Sequence, residues 1–331
     1  MRKSRQQGGG NAVALLEPTD TPDLVEAAAT IEAEVDLDRS VDAPVVEAEI
    51  IEPEPVQPER AESKELILAH RARVVTVFSP KGGTGTTTIA TNLAVLLSQT
   101  GARVCLVDLS LDFGDVGIGM RLAPNRTIAD MVNVALDADG DTLATAVVTM
   151  YRPGLDCVLA PVNPGDAELV GPEAVSRLIS ALRSSYDAVV IDTPSRFSEQ
   201  VLEALDMSDL HVLVTTPEIP ALKNLRLTMD TLDLLGFAPE RQAVVLNKFD
   251  AKNGLGVEAA RSVLATSRLI EVPSTSDAVA AANEGTPLAE TAASNPMVTV
   301  LREFVQSSDY LPGKNDKRRS WRGFMIWRRS R

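Results

Sequence analysis

Cysteine, histidine and tryptophan are scarce in this sequence, two of each among 331 residues. Cys105 and Cys157 each lie inside an apolar run. That usage excludes a disulfide framework or a cysteine-rich zinc site and fits a reduced interior. His70 and His211 are far apart and lack ligand spacing, so a histidine metal centre is not expected, and no Ser-His-Asp signature is recognisable. No run approaches the roughly 18 apolar residues of a membrane span. The opening stretch MRKSRQQGGGNAVALLEP is basic, but its apolar run AVALL is too short for a secretory signal. The expectation is a soluble, cytoplasmic protein, at most peripheral on the inner face of the cell membrane. No internal repeat recurs at a fixed period.

Aromatic residues are missing altogether before Phe78. Residues 1–69 hold 16 acids against 6 bases and are rich in Pro, Glu, Ala and Val, as in EAEIIEPEPVQPER. Such a segment buries too little apolar surface to offset chain entropy, so a disordered acidic tail is expected, either a solvated spacer or a partner-binding arm. The other end is its opposite: residues 310–331 carry 8 bases and one acid, Asp316. With a net charge of −14 overall, the part between is acidic as well. It is a poor platform for nucleic-acid phosphates, which are bound by Lys and Arg replacing counterions. The chain thus reads as an acidic tail (1–69), a folded domain (70–309) and a basic tail (310–331).

Within the middle part, short β-branched runs alternate with helical patterns. RVVTVFS, ARVCLVDL, LDCVLAP, DAVVIDTP, HVLVTTP and QAVVLNK read as strands. Helices are expected over Thr87–Gln99, Pro172–Ser184, Glu199–Ala204, Ala221–Leu235, Val257–Thr266 and Met297–Val305. Continuous apolar strands separated by helices predict an α/β fold, a doubly wound, mostly parallel sheet with helices on both faces.

The first strand runs into SPKGGTGTTT and then into a helix. That context turns a glycine-rich loop into an anion cradle. Gly82, Gly83 and Gly85 let backbone N–H groups approach phosphates, and the helix dipole adds to the field. Thr87 occupies the position whose hydroxyl ligates Mg²⁺. After the next strand comes CLVDLSLDFGDVGIGM with Asp108, and a later buried strand ends in Asp192, Thr193 and Pro194. A carboxylate at the carboxyl end of a central parallel strand is placed to hold metal-bound water.

At these residues the sequence resembles the deviant P-loop ATPases of the MinD/ParA family, whose loop runs K-G-G-x-G-K-[ST]. The resemblance implies bound ATP and Mg²⁺ and a homodimer, with Lys81 as the signature lysine reaching the partner's phosphates. It makes Lys81, Asp108 and Asp192 the catalytic set and Thr87, Asp108 and Asp192 the metal set. Two departures fall on the hydrolytic apparatus: Thr86 replaces the loop's second lysine, and Ser110 replaces the second acid of D-x-D. Asp112 or Asp115 could substitute for the missing acid if their loop shifts. A lost charge-assisted contact at Thr86 is worth roughly 1.5–3 kcal/mol, so weakened binding is expected rather than none. Nucleotide contacts are expected from Gly82, Gly83, Thr84, Gly85, Thr86, Thr87, Thr88, Asn247, Lys248 and Pro273. Asn247 resembles the family's adenine-contacting asparagine, and Pro273 lies in its nucleotide-edge loop. Asn247-Lys248-Phe249-Asp250 also spells the N-K-x-D of guanine-specific GTPases, which makes GTP the less favoured competitor.

From about Val74 to Val305 the sequence is similar to the CpaE/TadZ branch of that family, proteins that localise and assist assembly of Tad-type pili; YRPGLDCVLAPVNPGDAELVGPEAV and NEGTPL carry the likeness. The branch's receiver-like N-terminal domain is replaced by the acidic tail. Relatives described as septum-site determinants share the branch, so partners of either pilus or division machinery are implied. Bacterial tyrosine kinases share the fold but carry a C-terminal tyrosine cluster, whereas Tyr310 stands alone here. In the basic tail, Trp321, Phe324, Met325 and Trp327 stand among arginines, and the first three share a face if helical. That pattern fits an anionic membrane surface; nucleic acid, a solvated tail, or pairing with the acidic N-terminus are the alternatives.

Overall fold

The computed structural model describes residues 72–250, 256–266, 268–309 and 311–312. The acidic tail and the basic tail with Trp321, Phe324, Met325 and Trp327 lie outside the described residues.

Eight strands form one sheet in the order β3-β4-β2-β5-β1-β6-β7-β8. They are β1 (Arg73–Phe78), β2 (Val104–Asp108), β3 (Val148–Arg152), β4 (Leu155–Val158), β5 (Ala188–Asp192), β6 (Leu210–Thr215), β7 (Gln242–Phe249) and β8 (Leu269–Pro273). Neighbours run parallel throughout, except for the antiparallel pair of β3 and β4. The six strands expected from sequence are the six inner ones. The two it did not reveal are the edges, where half-buried residues such as Thr149, Arg152 and Glu271 interrupt the apolar run.

The helices are α1 (Thr86–Gln99), α2 (Val116–Gly119), α3 (Gly140–Val147), α4 (Pro172–Ser185), α5 (Glu199–Asp206), α6 (Ile219–Leu234), α7 (Val257–Leu264), α8 (Ser276–Glu284), α9 (Leu288–Thr291) and α10 (Pro296–Ser307). The six expected helices are present with ends moved by a few residues. Helix α7 stops earlier than expected because Ala265 turns left-handed at φ 50°. Helices α2, α3, α8 and α9 are not among those expected from the sequence.

Strand alternation splits the core between the two faces. Val75, Val77, Leu106, Val190, Val212 and Val245 pack under α1 and α10. On the opposite face, Val74, Val107 and Ile191 meet α3 and α4, while Phe78, Leu213 and Val244 meet α5, α6 and α7. Helix α1 is buried from Ile89 through Leu97. A helix buried on every side lies inside the molecule, its Thr91 and Asn92 included, and α10 packs against it.

The chain leaves β1 toward β2 on one side of the sheet and leaves β6 toward β7 on the other. Such a reversal opens a crevice beyond the carboxyl ends of the central strands, where open α/β sheets bind ligands.

Candidate nucleotide-binding site

The loop between β1 and α1 is shaped by two left-handed glycines, Gly83 at φ 76° and Gly85 at φ 96°. A Cβ on Gly85 would overlap Asn247 Nδ2, so both conformation and space require glycine there. Gly85 is also the N-cap of α1 and brings no side-chain cap. The first-turn N–H groups of α1 thus lack a capping side chain, the arrangement that receives an anion. Thr86 stands in that turn, and its hydroxyl lies 3.4 Å from Thr84 Oγ1. The Thr88 carbonyl accepts from Asn92 Nδ2 at 2.7 Å, which ties the same turn to the next.

Behind the loop stand two buried carboxylates. Asp108 and Asp192 are register partners on the adjacent strands β2 and β5, at 1% and 0% exposure. Thr87 Oγ1 donates to Asp192 Oδ2 at 2.7 Å, while Asp192 Oδ1 has no hydrogen-bond partner. Asp108 accepts from the Ser110 and Val116 N–H groups at 3.0 and 3.1 Å. Burial pushes the Asp108 carboxyl up to about 7, against the lowering effect of those two donors. Burial also drives Asp192 well above the usual carboxylate range, and the neighbouring charge of Asp108 adds to it. Two acids set side by side in a dry place, one with an unpartnered oxygen, suit a divalent cation. Among the described residues no group of three or more His, Cys, Asp or Glu is placed to hold a metal ion by itself. The donor set therefore fits Mg²⁺, which takes one or two carboxylates and draws its remaining oxygens from phosphates and water.

Asn247 and Lys248 brace the loop from β7. Asn247 Nδ2 donates to the Thr84 carbonyl and Lys248 Nζ to the Gly83 carbonyl, both at 2.7 Å. An irregularity in the β7–β8 pairing between Leu246 and Phe249, with Lys248 left-handed at φ 56°, re-aims these side chains. Pro273 closes β8 opposite Phe249, at the same end of the sheet. Lys81 is half-exposed, and its ammonium is paired with Glu218, the N-cap of α6.

Residues 72–238, half of the chain, match the family described as AAA domain (AAA_31). The septum site-determining protein MinD of Thermotoga maritima is 27% identical over 221 residues, covering 65% of this chain and 80% of its own length. The ParA family ATPase from Chlorobium tepidum superposes with a TM-score of 0.64 at 25% identity, over 70% of this chain and 98% of that one. The chain belongs to the MinD/ParA family of P-loop ATPases. MinD from Pyrococcus horikoshii, solved in complex with Mg-ADP, shares the fold at a TM-score of 0.62 and 24% identity, over 71% and 96% of the two chains.

Within that family frame, the structure brings the loop, Thr87, Asp108, Asp192, Asn247 and Lys248 together. Ser110 supplies only its backbone N–H to Asp108. Asp115 caps α2 without a side-chain bond, and Asp112 is paired with Arg196. Sequence reading missed four contributors. Gly114 lies where a Cβ would overlap the Asp108 carboxylate, and Glu218 holds Lys81. Ser195 and Arg196 come from the β5–α5 loop, which Thr193 Oγ1 anchors to the Val77 carbonyl at 2.8 Å. Proximity to the Asp192 motif was their only signal.

Proposed function

We propose that this chain is an ATP-binding protein of CpaE/TadZ type whose nucleotide-dependent dimer positions partners at a membrane, in pilus assembly or septum placement, with slow or absent hydrolysis. The observation that carries the reading is the Thr87–Asp192 contact beside the unpartnered Asp192 Oδ1, preserved where Thr86 offers no amine and Ser110 no carboxylate. The metal side of the cradle is retained, and what is altered concerns the transfer of the phosphoryl group. Bound Mg²⁺ neutralises phosphate oxygens. Thr87 and Asp192 would hold it, Asp108 would stand behind them, and the braced loop would receive the phosphates on its N–H groups. Without a positioned acid at Ser110, the attacking water is poorly oriented.

The position at the membrane rests on the basic aromatic tail of residues 310–331, and the dimer on Lys81, whose partner within its own chain is exposed and readily exchanged. ATP is favoured over GTP because the loop keeps the KGG signature. The test is equilibrium binding and steady-state turnover of ATP and GTP by purified protein. Mg²⁺-dependent ATP binding with little turnover is expected. Vigorous ATP turnover that is lost in Asp192→Ala would overturn the weak-hydrolysis reading in favour of an active MinD/ParA-type ATPase.

A further inference from the structure

Nucleotide phosphates would enter a site already lined by two buried acids, Asp108 and Asp192, with a hydroxyl at Thr86 where positive charge is wanted. Among the described residues, three cations stand near the loop. Lys81 is held by Glu218, and Lys248 is held by the Gly83 carbonyl it braces. The third is Arg196.

Arg196 belongs to the loop after β5, and β5 lies between β1 and β2 in the sheet. Its loop therefore runs between the β1 loop, which leads into Thr86 at the start of α1, and the β2 loop, which carries Ser110. Both neighbours of Arg196 are fixed against β1 and its loop. Ser195 Oγ lies 3.7 Å from where a Cβ on Gly82 would stand, and the Phe197 ring stacks on Phe78 at 4.8 Å. The side chain between them is 67% exposed and is paired with Asp112, itself 39% exposed. An exposed pair of this kind is weak and easily exchanged. A guanidinium presents a planar fork that matches two phosphate oxygens, which makes phosphate the better partner.

We propose that Arg196 is a phosphate-binding residue of this site: its guanidinium leaves Asp112 for the phosphate chain of the bound nucleotide and supplies the positive charge missing at Thr86. Asp112 holds the arginine when no phosphate is present. This inference rests on the nucleotide-binding reading above and adds to it the source of the lost charge.

The experiment is equilibrium binding of Mg-ATP to wild type, Arg196→Ala, Thr86→Lys and the double variant, with thermal melts to establish that each is folded. Arg196→Ala should weaken binding about tenfold, the effect of losing one charge-assisted contact. Thr86→Lys should recover most of that loss in the Arg196→Ala background and add less to wild type, because the two cations serve one charge. Asp112→Asn, which releases the arginine, should bind Mg-ATP more tightly than wild type. Unchanged affinity in a folded Arg196→Ala protein would overturn the inference while leaving the functional reading in place. So would a gain from Thr86→Lys that is the same in both backgrounds. Failure of wild type to bind any nucleotide would instead overturn the reading and, with it, this inference.

Discussion

Asp192 is the residue on which the cost and the use of the site meet. A carboxylate at 0% exposure with one oxygen unpartnered destabilises the ligand-free fold. Asp192→Asn should therefore stabilise the ligand-free fold by roughly 1 kcal/mol, the low end of what an unsatisfied buried polar group costs. The same change should abolish the Mg²⁺ dependence of nucleotide binding, and denaturant titration beside a binding assay reads both. A variant less stable than wild type would show that Asp192 is held for packing instead. Asn247 makes a second residue-scale case. Its amide strap to the Thr84 carbonyl is buried, so Asn247→Ala should cost about 1–3 kcal/mol by stranding that acceptor. The glycines, Thr87, Asp108 and Asp192 were legible in the sequence because backbone freedom and strand-end carboxylates leave a local pattern. Arg196 and Glu218 were not, since each matters through a loop that only the sheet order brings to the site.

At the scale of elements, burial decided what could be read. The inner strands, such as β5 with every residue buried, present mostly apolar runs rich in β-branched residues. The edge strand β3 reads VTMYR and exposes Met150, so nothing separates it from a loop until β4 pairs with it. Helix α3 is hard to read for a different reason: it is short and opens on Gly140, a poor helix former, with the Asp139 carboxylate, accepting from the Thr142 N–H at 2.7 Å, marking its start. His211 joins two elements, bonding the Leu205 carbonyl at the end of α5 through Nε2 at 2.9 Å and resting edge-on against Phe237. Burial lowers its pKa, outweighing the Leu205 bond that raises it. The folded state thus keeps His211 neutral, whereas the unfolded chain takes up a proton near the ordinary value of about 6.5. Stability should therefore be full above that value and fall as pH drops below it, until the folded form also protonates. His211→Gln should flatten the dependence of the unfolding free energy below about pH 6.5. An unchanged slope would mean that other groups govern acid sensitivity.

For the whole molecule, the charge is divided as the function would need: an acidic folded part and a basic, aromatic C-terminal tail. Among the described residues no helix is long and apolar enough to cross a membrane; the proposed attachment rests on the composition of that tail. Both tryptophans, Trp321 and Trp327, lie there, which makes intrinsic fluorescence a direct report on it. Vesicles containing anionic lipid should shift the emission to the blue, and deleting the residues after Pro312 should abolish vesicle binding. A shift produced by DNA and not by vesicles would assign the tail to nucleic acid.

The central claim is that the site holds a nucleotide through its metal side while doing little chemistry on it. Its most direct test is a single sample of wild-type protein, in which Mg-ATP binding at equilibrium and the single-turnover rate of hydrolysis are measured together. Binding should be saturable and depend on Mg²⁺, with bound ATP remaining intact over many minutes. Rapid conversion of the bound ATP to ADP, or no binding at all, would contradict it.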